Sequence, residues 1–262
     1  MTTTTAPVPS IEVSTGASRP RARRRVAIAA AAFVGCALPV TFTVTISAML
    51  VTGADVDHRF HQLTGKGLVL LALWLGAVLP LVLAGWRGER PSTAAGYRHL
   101  AFVGAGVITS AVAAGGGSRA LVAVVLVSGA LLWAALPLRP RLRGTFSVDP
   151  VLTPLAVVVA AVLMPYAVEQ LALQNAATSG YHSHNPHFFD MAWMVTTLTL
   201  LAVLGAVVRE ARSLFGWVAA ACTVIGAAGL FTGEPSAWSA AVLALGVVSF
   251  VAPRLVQSRN RH

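Results

Sequence analysis

The sequence predicts an all-α integral membrane protein of eight transmembrane helices, and three observations predict it. First, the chain is 56% hydrophobic, with only 11% charged residues and a mean hydropathy of +0.75. A soluble domain carries about 25% charged residues, so the polar surface here is too small to coat a soluble globule. Second, the apolar residues fall in long runs. Third, the basic residues are dense in every other gap between runs and sparse in the gaps that alternate with them.

The runs, in order, cover residues 26–51, 67–86, 100–114, 121–138, 151–173, 188–208, 214–231 and 238–253. Most approach the ~20 residues that cross ~30 Å of hydrocarbon. Each must be helical, because lipid offers no partner to a free backbone amide. The first run follows a basic stretch at residues 21–25, as a signal peptide would, but continues to about Val51 with no polar mature start. A retained first helix is therefore expected. The second run contains Pro80 and stops at Arg87. The third is the shortest and stops at three glycines, 115–117; the fourth stops near Pro137. The fifth contains Pro165 and carries Glu169 about two turns from its end, while the sixth opens just after Pro186. Arg209 and Arg212 separate the sixth run from the seventh, and a loop with Glu234 leads into the eighth.

With the N-terminus in the cytoplasm, eight crossings leave only Arg59, Lys66 and Arg119, of 19 basic residues, on the outer side. That is the positive-inside pattern, and dropping any one helix scrambles it. Both termini are expected in the cytoplasm and the protein in the plasma (cell) membrane, with the lipid bilayer as its partner. A formal charge of +10 raises nucleic-acid binding for a soluble chain, but these arginines border helices without interleaved aromatics, so none is expected. They anchor helix ends against anionic headgroups instead. Cys36 and Cys222 lie within runs, and no disulfide framework is visible.

A shift of 126 residues aligns Pro39 with Pro165, His58 with His184 and His61 with His187. Each half then reads helix, proline, His-x-x-His, helix, and four crossings return each half to the same side. This pattern predicts two tandem four-helix repeats in the same orientation. The expected organisation is a disordered basic cytoplasmic tail (1–25), a first half (26–144), a second half (145–254) and a short C-terminal tail (255–262).

Five of the seven histidines, His58, His61, His182, His184 and His187, fall in two outer loops. On a helix beginning near Pro186, His187, Asp190, Met191 and Met194 share a face. Imidazole suits zinc, copper, nickel or iron, and a thioether tilts the choice towards copper. An outward-facing metal site of His58, His61, His184 and His187 is expected, with His182, Asp190 and Glu169 as additional ligands or partners. Asp55 and Asp57 stand where they could orient imidazoles. Glu169, an ionisable group inside a membrane segment, calls for a cavity or a partner.

The cofactor expected is copper or zinc, serving metal handling or redox chemistry. Alternatives are a small-solute or proton-coupled transporter, and a haem-binding, cytochrome-like or assembly subunit that pairs with another membrane protein or with its own copy. Transporters place polar groups near the midplane, which is apolar here. Haem ligands between helices sit deeper than these loop-edge histidines, so haem is less favoured. No phosphate loop, G-x-S-x-G elbow, H-E-x-x-H or Cys-x-x-Cys motif is present.

Overall fold

The computed structural model describes residues 18–113 and 118–259. The residues 1–17 of the expected tail, the glycines 115–117 and the C-terminal His262 lie outside the described residues. The described residues are predominantly helical, with one isolated antiparallel bridge, Phe146 to Val208, among them.

The helices are α1 (Ser18–Thr52), α2 (Arg59–Leu63), α3 (Leu68–Arg87), α4 (Thr93–Val112), α5 (Arg119–Ala135), α6 (Leu152–Ala176), α7 (Tyr181–His184), α8 (His187–Val207), α9 (Leu214–Thr232) and α10 (Ser236–Arg259). Two boundaries differ from expectation. α1 begins at Ser18, so residues 18–25 form its first turns rather than a free tail; arginine and alanine are good helix formers and the apolar run pulls the helix on. α10 continues past residue 254 to Arg259 for the same reason.

Five spans are long and apolar enough to cross a membrane: Ala22–Thr52, Val56–Arg87, Leu152–Ala176, His187–Val207 and Arg209–Thr232. α5 and the first part of α10 are apolar but shorter. α4 carries Arg98 and His99 and is less apolar. Large exposed side chains such as Phe33, Val44, Val157 and Phe231 give the bundle an apolar exterior that suits lipid.

Local signals set the helix ends. The Ser92 hydroxyl accepts from Ala95 N at 3.2 Å and starts α4, and the Asp149 carboxylate accepts from the Val151 and Leu152 amides and starts α6. Gly88 and Gly233 end α3 and α9 in the left-handed conformation, which costs glycine no Cβ clash. Threonines within α8 return their hydroxyls to carbonyls one turn back: Thr197 to Trp193 O and Thr199 to Val195 O.

Packing follows two similar circuits. α1 packs on α3 and α5, with α4 between α3 and α5; α6 packs on α8 and α10, with α9 between α8 and α10. The two sets meet where α4 lies on α8, α3 touches α8 and α9, and α2 lies on α9. The core sits at this junction. Trp193 of α8 is fully buried, donates from Nε1 to Phe102 O at 2.8 Å and lies 4.9 Å from the Phe102 ring at a tilt of 30°. Gly106 leaves room for that indole, since a Cβ there would stand 2.7 Å from it.

One end of the bundle is arginine-rich and tied together by hydrogen bonds: Arg90 to Arg139 O, Thr93 to Arg141 O and Thr145 to Glu210. The buried Asp149 also pairs with Arg212 at 2.8 Å. The other end carries His58, His61, His182, His184 and His187.

Candidate metal centre

Backbone turns bring the histidines together. After α1, Gly53 and Asp55 both take positive φ, 75° and 56°, and reverse the chain. Aspartate visits that left-handed region more readily than most residues. The reversal aims Asp55 at the turn that follows, where its Oδ1 meets His58 Nδ1 at 2.7 Å. Gln62, fully buried, donates from Nε2 to the carbonyls of Ala54 and Asp55 and locks this loop. On the other segment Gln174 donates to His182 O and accepts from Phe189 N, fastening α7 and the start of α8 to the end of α6.

Three imidazoles gather round that of His187, which is fully buried. Its ring centroid lies 4.6 Å from that of His61, 4.8 Å from His182 and 5.2 Å from His58. One ligand atom each from His58, His182 and His187 falls within 4.8 Å of the others. Nitrogens bound to one tetrahedral zinc at 2.0–2.1 Å lie about 3.3 Å apart, so a modest turn of each ring closes the set.

The protonation pattern follows from the partners. Asn185 O can only accept, so His187 Nδ1, 3.0 Å away, carries the hydrogen and Nε2 carries the lone pair. That Nε2 is buried with no hydrogen-bond partner among the described residues, as are Nδ1 of His61 and Nδ1 of His182. Buried polar atoms are almost always paired, so three unpartnered ring nitrogens in one cluster are a feature that a bound cation would satisfy. For His58, the Asp55 carboxylate fixes the Nδ1–H and frees Nε2, the arrangement in which an acidic partner orients a metal-binding histidine.

Behind Asp55 the chain of contacts continues. Lys66 Nζ donates to the Tyr181 hydroxyl at 3.0 Å, and that hydroxyl lies 3.3 Å from Asp55 Oδ2. Burial acts to raise the Asp55 carboxyl, but the hydrogen bond and charge of His58, joined by Lys66 and Tyr181, hold it below its ordinary value. It is thus a stable anion beside the rings.

The expected ligands divide. His58, His61, His182 and His187 come together. His184 is exposed, and α7 explains why: residues two apart on a helical turn point to nearly opposite sides, so His182 faces inward and His184 outward. Asp190 turns the other way. It hydrogen-bonds Ser118 and lines a separate cavity with Lys66 and Trp74. Glu169 lies in a second cavity, which His61 also lines.

Neither methionine offers its sulfur. Met191 Sδ is fully buried and receives hydrogen bonds from Gly65 N at 3.1 Å and Thr64 Oγ1 at 3.2 Å, while Met194 is buried in the core. The thioether argument for copper therefore lapses, and the set is all imidazole. His99, far from the cluster, accepts from Trp133 Nε1 and is packed against Gly129.

Gln62, Gln174, Tyr181 and Lys66 position the cluster but were no part of the expected site. The signal for Tyr181 was present: it stands 126 residues after Asp55, the same step that relates His61 to His187 and Gly65 to Met191. No protein-family model matches the sequence, and no curated protein or solved structure is similar enough to count as a relative.

Proposed function

We propose that this chain is a polytopic membrane protein whose outer face binds a transition metal through His58, His182 and His187, with His61 at the fourth position. The observation that carries this reading is the convergence of three ligand atoms within 4.8 Å, together with three buried ring nitrogens that lack partners. An all-imidazole set with neutral rings suits zinc or cupric copper. With His61 exchangeable at the fourth position, a three-histidine site is a form that both metal handling and metal-assisted chemistry use.

The eight long helices are read as eight crossings in two tandem halves, with the arginine-rich end in the cytoplasm and the histidine end outside. The matching helix circuits support this, as do the contacts between residues 126 apart, which is how equivalent residues near a twofold pseudo-axis would meet. The halves on this reading are 26–144 and 145–254, and the metal lies between them.

Elemental analysis and visible absorption of the detergent-purified protein test the site. About one zinc or copper per chain is expected, and His58→Ala/His187→Ala should abolish it. Wild-type protein that stays metal-free after dialysis against zinc and copper would overturn the reading. A Soret band would replace it with a haem site.

A further inference from the structure

Against the histidine cluster, between α6, α8 and α10, lies a cavity of about 470 Å³. Its polar lining is Glu169, Gln170, Glu234, Tyr166 and His61, and no lysine or arginine lines it. The Glu169 and Glu234 carboxylates and Gln170 Oε1 accept, while the Tyr166 hydroxyl and the Gln170 amide nitrogen can donate but bring no charge. Gln170 is 6% exposed and its Oε1 has no hydrogen-bond partner; Nδ1 of His61 has none either. Gln170 Oε1 can only accept, and with two carboxylates and no cation in the lining the cavity suits a group that brings positive charge. Burial also pushes the Glu234 carboxyl up, as expected for an anion that lacks a cationic neighbour.

The contrast with the cavity on the other side of the cluster is informative. That space, about 330 Å³ between α1, α3 and α5, is lined by Lys66 as well as Asp190. The α6–α8–α10 cavity is instead lined by two carboxylates with no lysine or arginine. A water occupies about 30 Å³ in the liquid, so a divalent ion with six waters needs about 180 Å³ and fits.

We infer that this cavity is the antechamber through which a hydrated divalent transition-metal cation reaches the histidine cluster. The inference rests on the metal reading of that cluster. Glu169 and Glu234 draw the ion in, because like charges on a low-dielectric wall concentrate counter-ions. Gln170 Oε1 and His61 Nδ1 then replace part of its water. His61 passes the ion on to His187, whose ring lies 4.6 Å away. His61 thus belongs to both spaces, lining the cavity and touching the cluster.

The test is stopped-flow loading of metal-free protein with zinc ion, followed by competition with a chromophoric chelator at low and high salt. Glu169→Gln/Glu234→Gln should load roughly tenfold more slowly than wild type at low salt, reach the same final stoichiometry and lose most of the salt dependence. Leu173→Lys, which adds a positive charge to the lining, should slow loading as well without changing the final stoichiometry. Loading of both variants at the wild-type rate would overturn the antechamber while leaving the cluster intact. Loss of stoichiometry in the glutamine variant would also overturn it, because the carboxylates would then be ligands. If wild-type protein takes up no zinc at all, the cluster reading falls and this inference falls with it.

Discussion

Asp55 shows how much one residue contributes at this site. Its positive φ turns the chain, its Oδ1 fixes the His58 tautomer and its Oδ2 faces Tyr181. Asp55→Asn keeps the shape but removes the charge, and metal affinity should fall about 10–100-fold by competition titration. His184→Ala should leave affinity unchanged, since that ring points away. The pair separates a positioning effect from a general loss of loop histidines. At this scale the sequence told part of the story. The His-x-x-His spacing picked out His58, His61 and His187, but the choice between His182 and His184 depended on a single helical turn whose orientation composition does not encode. Gln62 and Gln174 were invisible for a related reason: an amide that satisfies distant carbonyls has no local pattern.

At the scale of elements, the close approach of the α2–α3 connection to α8 holds the cluster in shape. A Cβ at Gly65 would stand 2.6 Å from Met191 Cα, so backbone would have to part from backbone. Gly65→Ala should lower stability by about 1–3 kcal/mol, by the usual cost of overpacking, and weaken metal binding at the same time. At the opposite end, Asp149 both caps α6 and pairs with Arg212. Asp149→Ala should cost about 2–4 kcal/mol, because it strips a cap and leaves a partly buried guanidinium unpaired, yet should leave metal stoichiometry intact. Thermal melts in detergent, read beside zinc content, distinguish the two variants. The long helices were legible because the need to satisfy backbone groups in lipid forces long apolar runs. The short α2 and α7 were not, since each is a turn or so of polar residues held by tertiary contacts alone.

The whole molecule places its two chemistries at opposite ends. Cysteines introduced at positions 57 and 184, in a background lacking Cys36 and Cys222, should react with a membrane-impermeant maleimide added to intact cells. Cysteines at positions 90 and 141 should react only after the cells are opened. The reverse pattern would invert the orientation and put the site in the cytoplasm. The 126-residue step was readable in the prolines and histidines, but the meeting in space of residues that far apart was not, because pairing between helices leaves no periodic trace in so apolar a sequence. One consequence concerns the connectivity of the chain. His58 and His61 precede α3, whereas His182 and His187 flank the last turn before α8. An ion held by both pairs would tie the intervening helices α3 to α6 into a closed ring, much as a disulfide does, and cross-links over loops of this length restrict the unfolded chain by about 4–5 kcal/mol. Pulled from its two ends, the loaded protein should surrender α1, α8, α9 and α10 first and keep the ring closed until the ion is torn out.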